Sequence, residues 1–175
     1  HQAGLTCGVI GTTGHRVAGQ TIESKHTTPE SPIIQGLLAQ MRDAGCATGI
    51  MEVSSIGISL DRVESLPFRV AVFTSFSRDH LDFHGNMEHY FQAKADLFER
   101  LIDKNGTAIL NADEPSCHRI TPQGQQTWFY GVDQNADFQG QDLQESVNGT
   151  EFTVRTLEGL DYFDFLFDII HFQLY

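Results

Sequence analysis

Val70-Ala71-Val72-Phe73-Thr74-Ser75-Phe76-Ser77-Arg78-Asp79-His80-Leu81-Asp82-Phe83-His84-Gly85 passes from an apolar run into a dense polar cluster. The run has the β-branched and aromatic character of a buried strand. Two imidazoles, two carboxylates and a guanidinium crowd its exit. Open α/β sheets place their ligands at the carboxyl ends of strands. A metal ion, a phosphate or both would account for that crowding.

Upstream, Cys7-Gly8-Val9-Ile10 reads as a short strand ending in the turn Gly11-Thr12-Thr13-Gly14. Arg16-Val17 and Gln20-Thr21-Ile22 suit a small hairpin. Thr27-Thr28-Pro29 is predicted to open a helix, with Thr as cap and Pro in the first turn. Its apolar stripe is Ile34, Leu37, Leu38 and Met41, and Gly45 ends it. A strand follows over Ala47 to Val53, and downstream a helix runs from Asn86 to about Ile102. Further strands are predicted at Thr107 to Leu110 and Thr127 to Tyr130, with a short helix near Pro115 to Ile120 between them.

Strands alternating with helices indicate parallel βαβ units. From Ala136 the pattern changes to an antiparallel ribbon, with Asn148-Gly149 as the turn between Phe138 to Val147 and Thr150 to Thr156. The segment Leu160 to Tyr175 mixes aromatics with Asp161, Asp164 and Asp168, and Tyr162 to Phe167 could add an edge strand.

At 175 residues and 40% apolar, the chain suits one globular domain. A formal net charge of −12 argues against a nucleic-acid surface, though a phosphate site needs only local donors or a cation. Cys7, Cys46 and Cys117 are odd in number and form no C-x-x-C pair, which suits reduced thiols in a cytoplasmic protein. No apolar run approaches bilayer length, so no membrane partner is expected. The chain opens on His1 and not on Met, and a true N-terminus upstream is expected.

Four strand ends carry polar residues: Thr12-Thr13, Glu52-Val53-Ser54-Ser55, Thr74-Ser75 and Asn111-Ala112-Asp113. In one parallel sheet they would lie along one edge. Glu52 follows Ile50-Met51, so its carboxylate needs a cation, a donor or an internal Arg. His80-x-Asp82-x-His84 has metal-ligand spacing if the stretch is extended. Lys94 falls on the apolar stripe of its helix, where it either snorkels to water or serves as a neutral nucleophile. Thr27 and Thr28 offer hydroxyls to an anion, and Arg62 is either an exposed residue or a carboxylate clamp.

Taken together, Met51-Glu52-Val53-Ser54-Ser55, Arg62-Val63, Arg78-Asp79-His80-Leu81-Asp82-Phe83-His84-Gly85 and Tyr90-x-x-x-Lys94 resemble the Mur ligases. Gly8 to Thr12, Thr27-Thr28-Pro29 and Leu110 to Asp113 support the likeness. The nearest branch is the one that adds the third residue of the peptidoglycan stem peptide. The resemblance implies an α/β central ATPase domain over residues 1–156, a parallel sheet with helices on both faces and a small antiparallel ribbon. Residues 157–175 form an atypical aromatic tail, divergent or truncated, in which His171-Phe172-Gln173 echoes a family segment.

It further implies ATP-dependent joining of a diamino acid, meso-diaminopimelate or L-lysine, to UDP-MurNAc-L-Ala-D-Glu through an acyl phosphate. By that likeness Glu52, His80 and Lys94, the last as an N6-carboxylysine carbamate, hold Mg2+. Thr27, Thr28, Ser54 and Arg62 hold the UDP-MurNAc-dipeptide. A cytoplasmic monomer is expected. Ile56 and Leu60 stand where the family carries His and Gln, and Ser75 and His26 stand where it carries Asn. A Gly-x-x-Gly-Lys-Thr-Thr loop, expected upstream of His1, is absent, so no nucleotide-binding residue is assigned and the chain alone is expected to be inactive. Two alternatives stand beside this: a metallohydrolase using His80, Asp82 and His84, and a catalytically silent remnant.

Overall fold

Residues 5–166, apart from 125, 147–148 and 157–158, are described by the computed structural model. Within that range the described residues form two units, one from 5–67 and 78–97 and the other from 68–77 and 98–166.

In the first unit the apolar run becomes β1 (Cys7–Ile10), which pairs antiparallel with the hairpin of β2 (His15–Val17) and β3 (Gln20–Ile22). On its other side β1 pairs in parallel with β4 (Thr48–Met51), in the register Ile10 to Met51. The sheet order is β3-β2-β1-β4. The connection to β4 runs through α1 (Ser31–Asp43), whose Ile34, Leu37 and Met41 are buried, while Leu38 is half-buried. Glu30, not a threonine, occupies the cap position, and Pro32 lies in the first turn. The expected threonine cap fails because Thr28 is committed elsewhere. Gly45, at φ +74°, follows the C-terminal residue Ala44 and turns the chain out of the helix.

Three short or medium helices complete this unit: α2 (Ser55–Ser59), α3 (Leu81–His84) and α4 (Met87–Asp96). Asn86 caps α4 by accepting the His89 N–H at 2.9 Å. The helix does not reach Ile102 as α-helix. It changes to a π-helical turn over Leu97–Leu101, and Ile102 already begins a strand.

The second unit is a sheet in the order β10-β9-β8-β7-β6-β5. β5 (Phe68–Phe73), β6 (Ile102–Asn111), β7 (Gln126–Gly131) and the start of β8 (Phe138–Ser146) pair in parallel. β8, β9 (Gly149–Arg155) and β10 (Leu160–Leu166) then pair antiparallel, as the change of sequence pattern predicts. A one-turn 3₁₀ helix at Pro115–Arg119 joins β6 to β7. Asn148, Phe167 and the His171-Phe172-Gln173 segment lie outside the described residues.

Two expectations change. The four polar strand ends do not share one sheet: β1 and β4 are neighbours in one, β5 and β6 in the other. β4 and β5 are also not buried strands, since Ile50 is 56% and Val70 52% exposed. Each is the outer strand of its sheet, so each lacks a neighbour on one side among the described residues. No helix among the described residues is long and apolar enough to cross a membrane.

Two glycines give opposite expectations. A Cβ on Gly36, inside α1, would meet nothing within 4 Å, whereas one on Gly57 would lie 2.5 Å from the Thr28 side chain. Gly36→Ala is expected to stabilise by about 0.4–1 kcal/mol through helix propensity and chain entropy. Gly57→Ala is expected to destabilise by about 1–3 kcal/mol through overpacking. Urea unfolding of both variants beside the wild type checks the pair.

Candidate functional site

The register of β1 and β4 carries two chain segments past the sheet together, so that Thr12 meets Glu52. Glu52 Oε2 accepts the Thr12 N–H at 3.0 Å and its hydroxyl at 2.6 Å. The Thr12 hydroxyl also lies 3.0 Å from that of Thr27. Glu52 is half-buried, and its carboxylate is held by Thr12 and not by an internal arginine. Thr12 borders a pocket of about 460 Å³ lined by Thr13, Gly14, Thr21, Glu23 and Ser24.

Thr28, 1% exposed, ties this corner to α2. Its hydroxyl donates to the Glu52 carbonyl at 3.0 Å and accepts the Ser54 N–H at 2.8 Å. Both of those main-chain groups therefore need Thr28, because an unpaired buried amide is costly. The Ser54 hydroxyl caps α2 by accepting the Gly57 N–H at 3.0 Å. Arg62 then closes the network, donating to the Thr28 carbonyl at 2.9 Å and pairing with Glu30 at 2.5 Å. Its side chain is 13% exposed, so it is not the exposed arginine that an isolated reading allowed. Buried Arg62 Nε has no partner among the described residues.

A second cluster gathers on α3 and α4. The stretch from His80 to His84 is not extended but turns helical, so His80, Asp82 and His84 do not project in one direction. His84 is buried and its Nε2 lies 2.9 Å from the Ser55 hydroxyl, while Asp82 is exposed. No three His, Cys, Asp or Glu residues gather as a ligand group among the described residues. The alternative of a metal centre built from His80, Asp82 and His84 therefore lacks its geometry.

His80 precedes α3 in the left-handed conformation at φ 52°, ψ 27°. For a residue with a Cβ this costs about 1–3 kcal/mol and must be held by surrounding contacts. Asp79 accepts the His80 N–H at 2.7 Å and lies 3.4 Å from the imidazole Nε2. The Tyr90 ring meets the His80 ring edge-on at 5.9 Å, and Lys94 Nζ lies 5.3 Å from the centre of the same ring. Burial pushes Lys94 below its ordinary pKa, with the Asp79 carboxylate opposing the shift. Burial, and then His80, push the His84 imidazole below its ordinary pKa, with Asp82 opposing.

The ends of β5, β6 and β7 are latched by Asn111 and Asp113, which the sequence marks as a polar strand end, and by Glu114, which it does not single out. Glu114 accepts the Phe76 N–H at 3.1 Å and the Ser116 N–H and hydroxyl at 3.1 and 2.8 Å. Asn111 donates to the Thr74 carbonyl at 2.7 Å. Asp113 accepts three successive N–H groups, from Val132, Asp133 and Gln134, at 2.6, 3.1 and 2.7 Å. The readable signal was the turn chemistry of Asn and Asp directly after a strand.

The Mur ligase middle domain family matches residues 1–168. The chain belongs to this family. A UDP-N-acetylmuramoyl-L-alanyl-D-glutamate–2,6-diaminopimelate ligase from Gloeobacter violaceus is 44% identical over 87% of the chain. The ligase of the same name from Clostridium perfringens is 36% identical over 93%. The chain spans about a third of the length of these curated relatives, 32% and 34% respectively. Among solved structures, a diaminopimelate ligase of that name superposes with a TM-score of 0.81 at 28% identity, covering 93% of this chain and 34% of the other. The MurF ligase from Thermotoga maritima in complex with ADP superposes at 0.61 over 92% of this chain and 34% of its own, and at 15% identity shares the fold alone.

In this Mur ligase domain, Thr28→Val keeps side-chain shape but removes both hydroxyl bonds. It is expected to lower unfolding free energy by about 1–3 kcal/mol in urea at pH 7, with Thr28→Ser close to wild type. A loss within about 0.5 kcal/mol, the range of an ordinary surface change, would show that the hydroxyl anchors nothing.

Asp113 gives a pH-dependent expectation. Burial raises its pKa, but the three N–H bonds outweigh that and leave it below the ordinary 3.8. A depressed carboxylate contributes stability above its unfolded pKa and loses it as pH falls through the folded value. Asp113→Asn is therefore expected to be less stable than wild type at pH 7. The two unfolding curves should converge on acidification below about pH 4.

Proposed function

We propose that this chain is the ATP-using part of a cytoplasmic, monomeric ligase acting on UDP-MurNAc-L-Ala-D-Glu and a diamino acid. The names of its relatives favour 2,6-diaminopimelate as that amino acid. One observation carries the reading. The residues expected to hold the dipeptide and the carboxylate expected to hold Mg2+ form a single bonded line, Arg62–Thr28–Ser54 and Thr28–Glu52–Thr12–Thr27.

In this reading Arg62, Ser54 and the half-buried Thr27 meet the anionic substrate, and Thr28 holds them in place. Glu52 supplies a hard oxygen donor, as Mg2+ requires, and His80 a half-exposed imidazole. Lys94 completes the set once it carries CO2. Its half-buried amine, biased toward the neutral form, attacks CO2. The N–C bond forms, one C–O π pair moves to oxygen, and the nitrogen releases a proton, leaving a carbamate anion.

When bound, the magnesium ion neutralises charge on the phosphates of ATP. The D-glutamate carboxylate takes the γ-phosphoryl group to give an acyl phosphate and ADP. The amine of the diamino acid then attacks the acyl carbon, loses a proton and expels phosphate. Gly-x-x-Gly-Lys-Thr-Thr does not occur in the 175 residues, and none of them is assigned to the phosphates of ATP.

Lys94 provides the test. In 13C-bicarbonate with Mg2+ near neutral pH, carbon NMR is expected to show a carbamate on Lys94 in the wild-type chain and none in Lys94→Arg. A wild-type spectrum lacking that carbon would remove Lys94 from the ligand set.

A further inference from the structure

A buried stack of side chains meets the ring that His80 and Lys94 share. Ser55, at the start of α2, is 2% exposed, and His84, at the end of α3, is 8% exposed. The Ser55 hydroxyl lies 2.9 Å from His84 Nε2. The His84 ring stacks on Tyr90 of α4, with centroids 5.2 Å apart and planes 28° apart. Tyr90 is buried, and its ring is the one that both His80 and Lys94 touch. Three helices are thus joined by a continuous line of side-chain contacts ending on two groups of the site.

A core histidine satisfied by a serine would explain the first bond alone. It would not require the same imidazole to lie against the ring that carries His80 and Lys94. The backbone adds a second connection: the His80 carbonyl accepts the N–H groups of Phe83 and His84, at 3.2 and 2.9 Å. A shift of His84 is therefore felt at His80 through both main chain and ring. His80 also sits in a left-handed conformation that needs such support.

We propose that Ser55, His84 and Tyr90 form a positioning clamp that fixes the His80 imidazole and the Lys94 amine on one rigid ring platform. None of the three is a catalytic residue; each acts through the groups it holds. The Lys94 half of the proposal rests on the reading of that lysine as a CO2 acceptor. The His80 half does not.

The experiment uses the whole 175-residue chain with ring-13C histidine, and reads the order of the His80 ring by carbon relaxation. Ser55→Ala and His84→Gln remove no side-chain hydrogen bond or ring contact to His80 or Lys94, and both keep the main-chain bond from residue 84 to the His80 carbonyl. Both are expected to drop His80 ring order from the rigid range near about 0.85 to below about 0.6, with an unchanged far-ultraviolet spectrum. Tyr90→Phe, which keeps the ring, should leave His80 rigid, whereas Tyr90→Leu should release it. If Ser55→Ala does not fold, His84→Gln and the Tyr90 pair carry the same comparison. His80 staying rigid in folded His84→Gln, or loosening equally in Tyr90→Phe and Tyr90→Leu, would overturn the clamp.

Adding 13C-bicarbonate to the same samples separates the two readings. A carbamate signal lowered at least about tenfold in Ser55→Ala or His84→Gln, alongside a loosened His80, supports the whole clamp; that ratio corresponds to one 1.4 kcal/mol step. No wild-type carbamate with His80 released by the variants refutes the CO2 reading and its Lys94 half, and leaves the His80 clamp standing.

Discussion

One buried hydroxyl holds the corner on which the site is built. Thr28 joins the Glu52 carbonyl to the Ser54 N–H, so the main chain just past β4 takes its direction from a threonine before α1. Glu52 then points its carboxylate at Thr12, Ser54 caps α2, and Arg62 folds back on the Thr28 carbonyl. Gly57 permits this, because any side chain there would displace Thr28. The arrangement fixes these donors and acceptors through contacts within the chain itself, so little ordering is left to complete there.

The two clusters of the first unit differ in character. Around Glu52 and Arg62 the contacts are polar and charge-assisted, matched to anions and cations. Around His84 and Tyr90 they are aromatic and uncharged, matched to holding shape. Lys94 lies at the border, over a ring and half-buried, where the ammonium form is disfavoured. A lysine placed on an apolar stripe reads as either snorkelling or reactive; here burial lowers its pKa while the Tyr90 ring and Asp79 favour the charged form.

Much of the fold was legible in periodicity. The α1 stripe of Ile34, Leu37 and Met41, the early hairpin and the switch to an antiparallel ribbon all follow from spacing and turn residues. The short helices α2 and α3 were not legible, since four or five residues carry too little periodicity to declare a helix. Reading His80 to His84 as extended was the consequence, and the left-handed His80 is what turns that stretch into a helix. Glu52 was visible as a carboxylate after an apolar run, but its partner was not. Thr12 lies forty residues earlier, brought there by strand register, which spacing along the chain does not encode. Burial of β4 and β5 was overestimated because an apolar run does not say whether its strand lies inside a sheet or on its edge.

The central claim is that Thr12, Glu52 and Thr28 act as one unit, and a double-mutant cycle tests it most directly. Thr12→Val removes the hydroxyl bonded to the Glu52 carboxylate, and Thr28→Val the one bonded to its carbonyl. Urea unfolding of the wild type, both single variants and the double variant is expected to give a coupling energy between about 0.5 and 3 kcal/mol. Losses that add to within about 0.3 kcal/mol would mean the two threonines act independently, and would contradict the account.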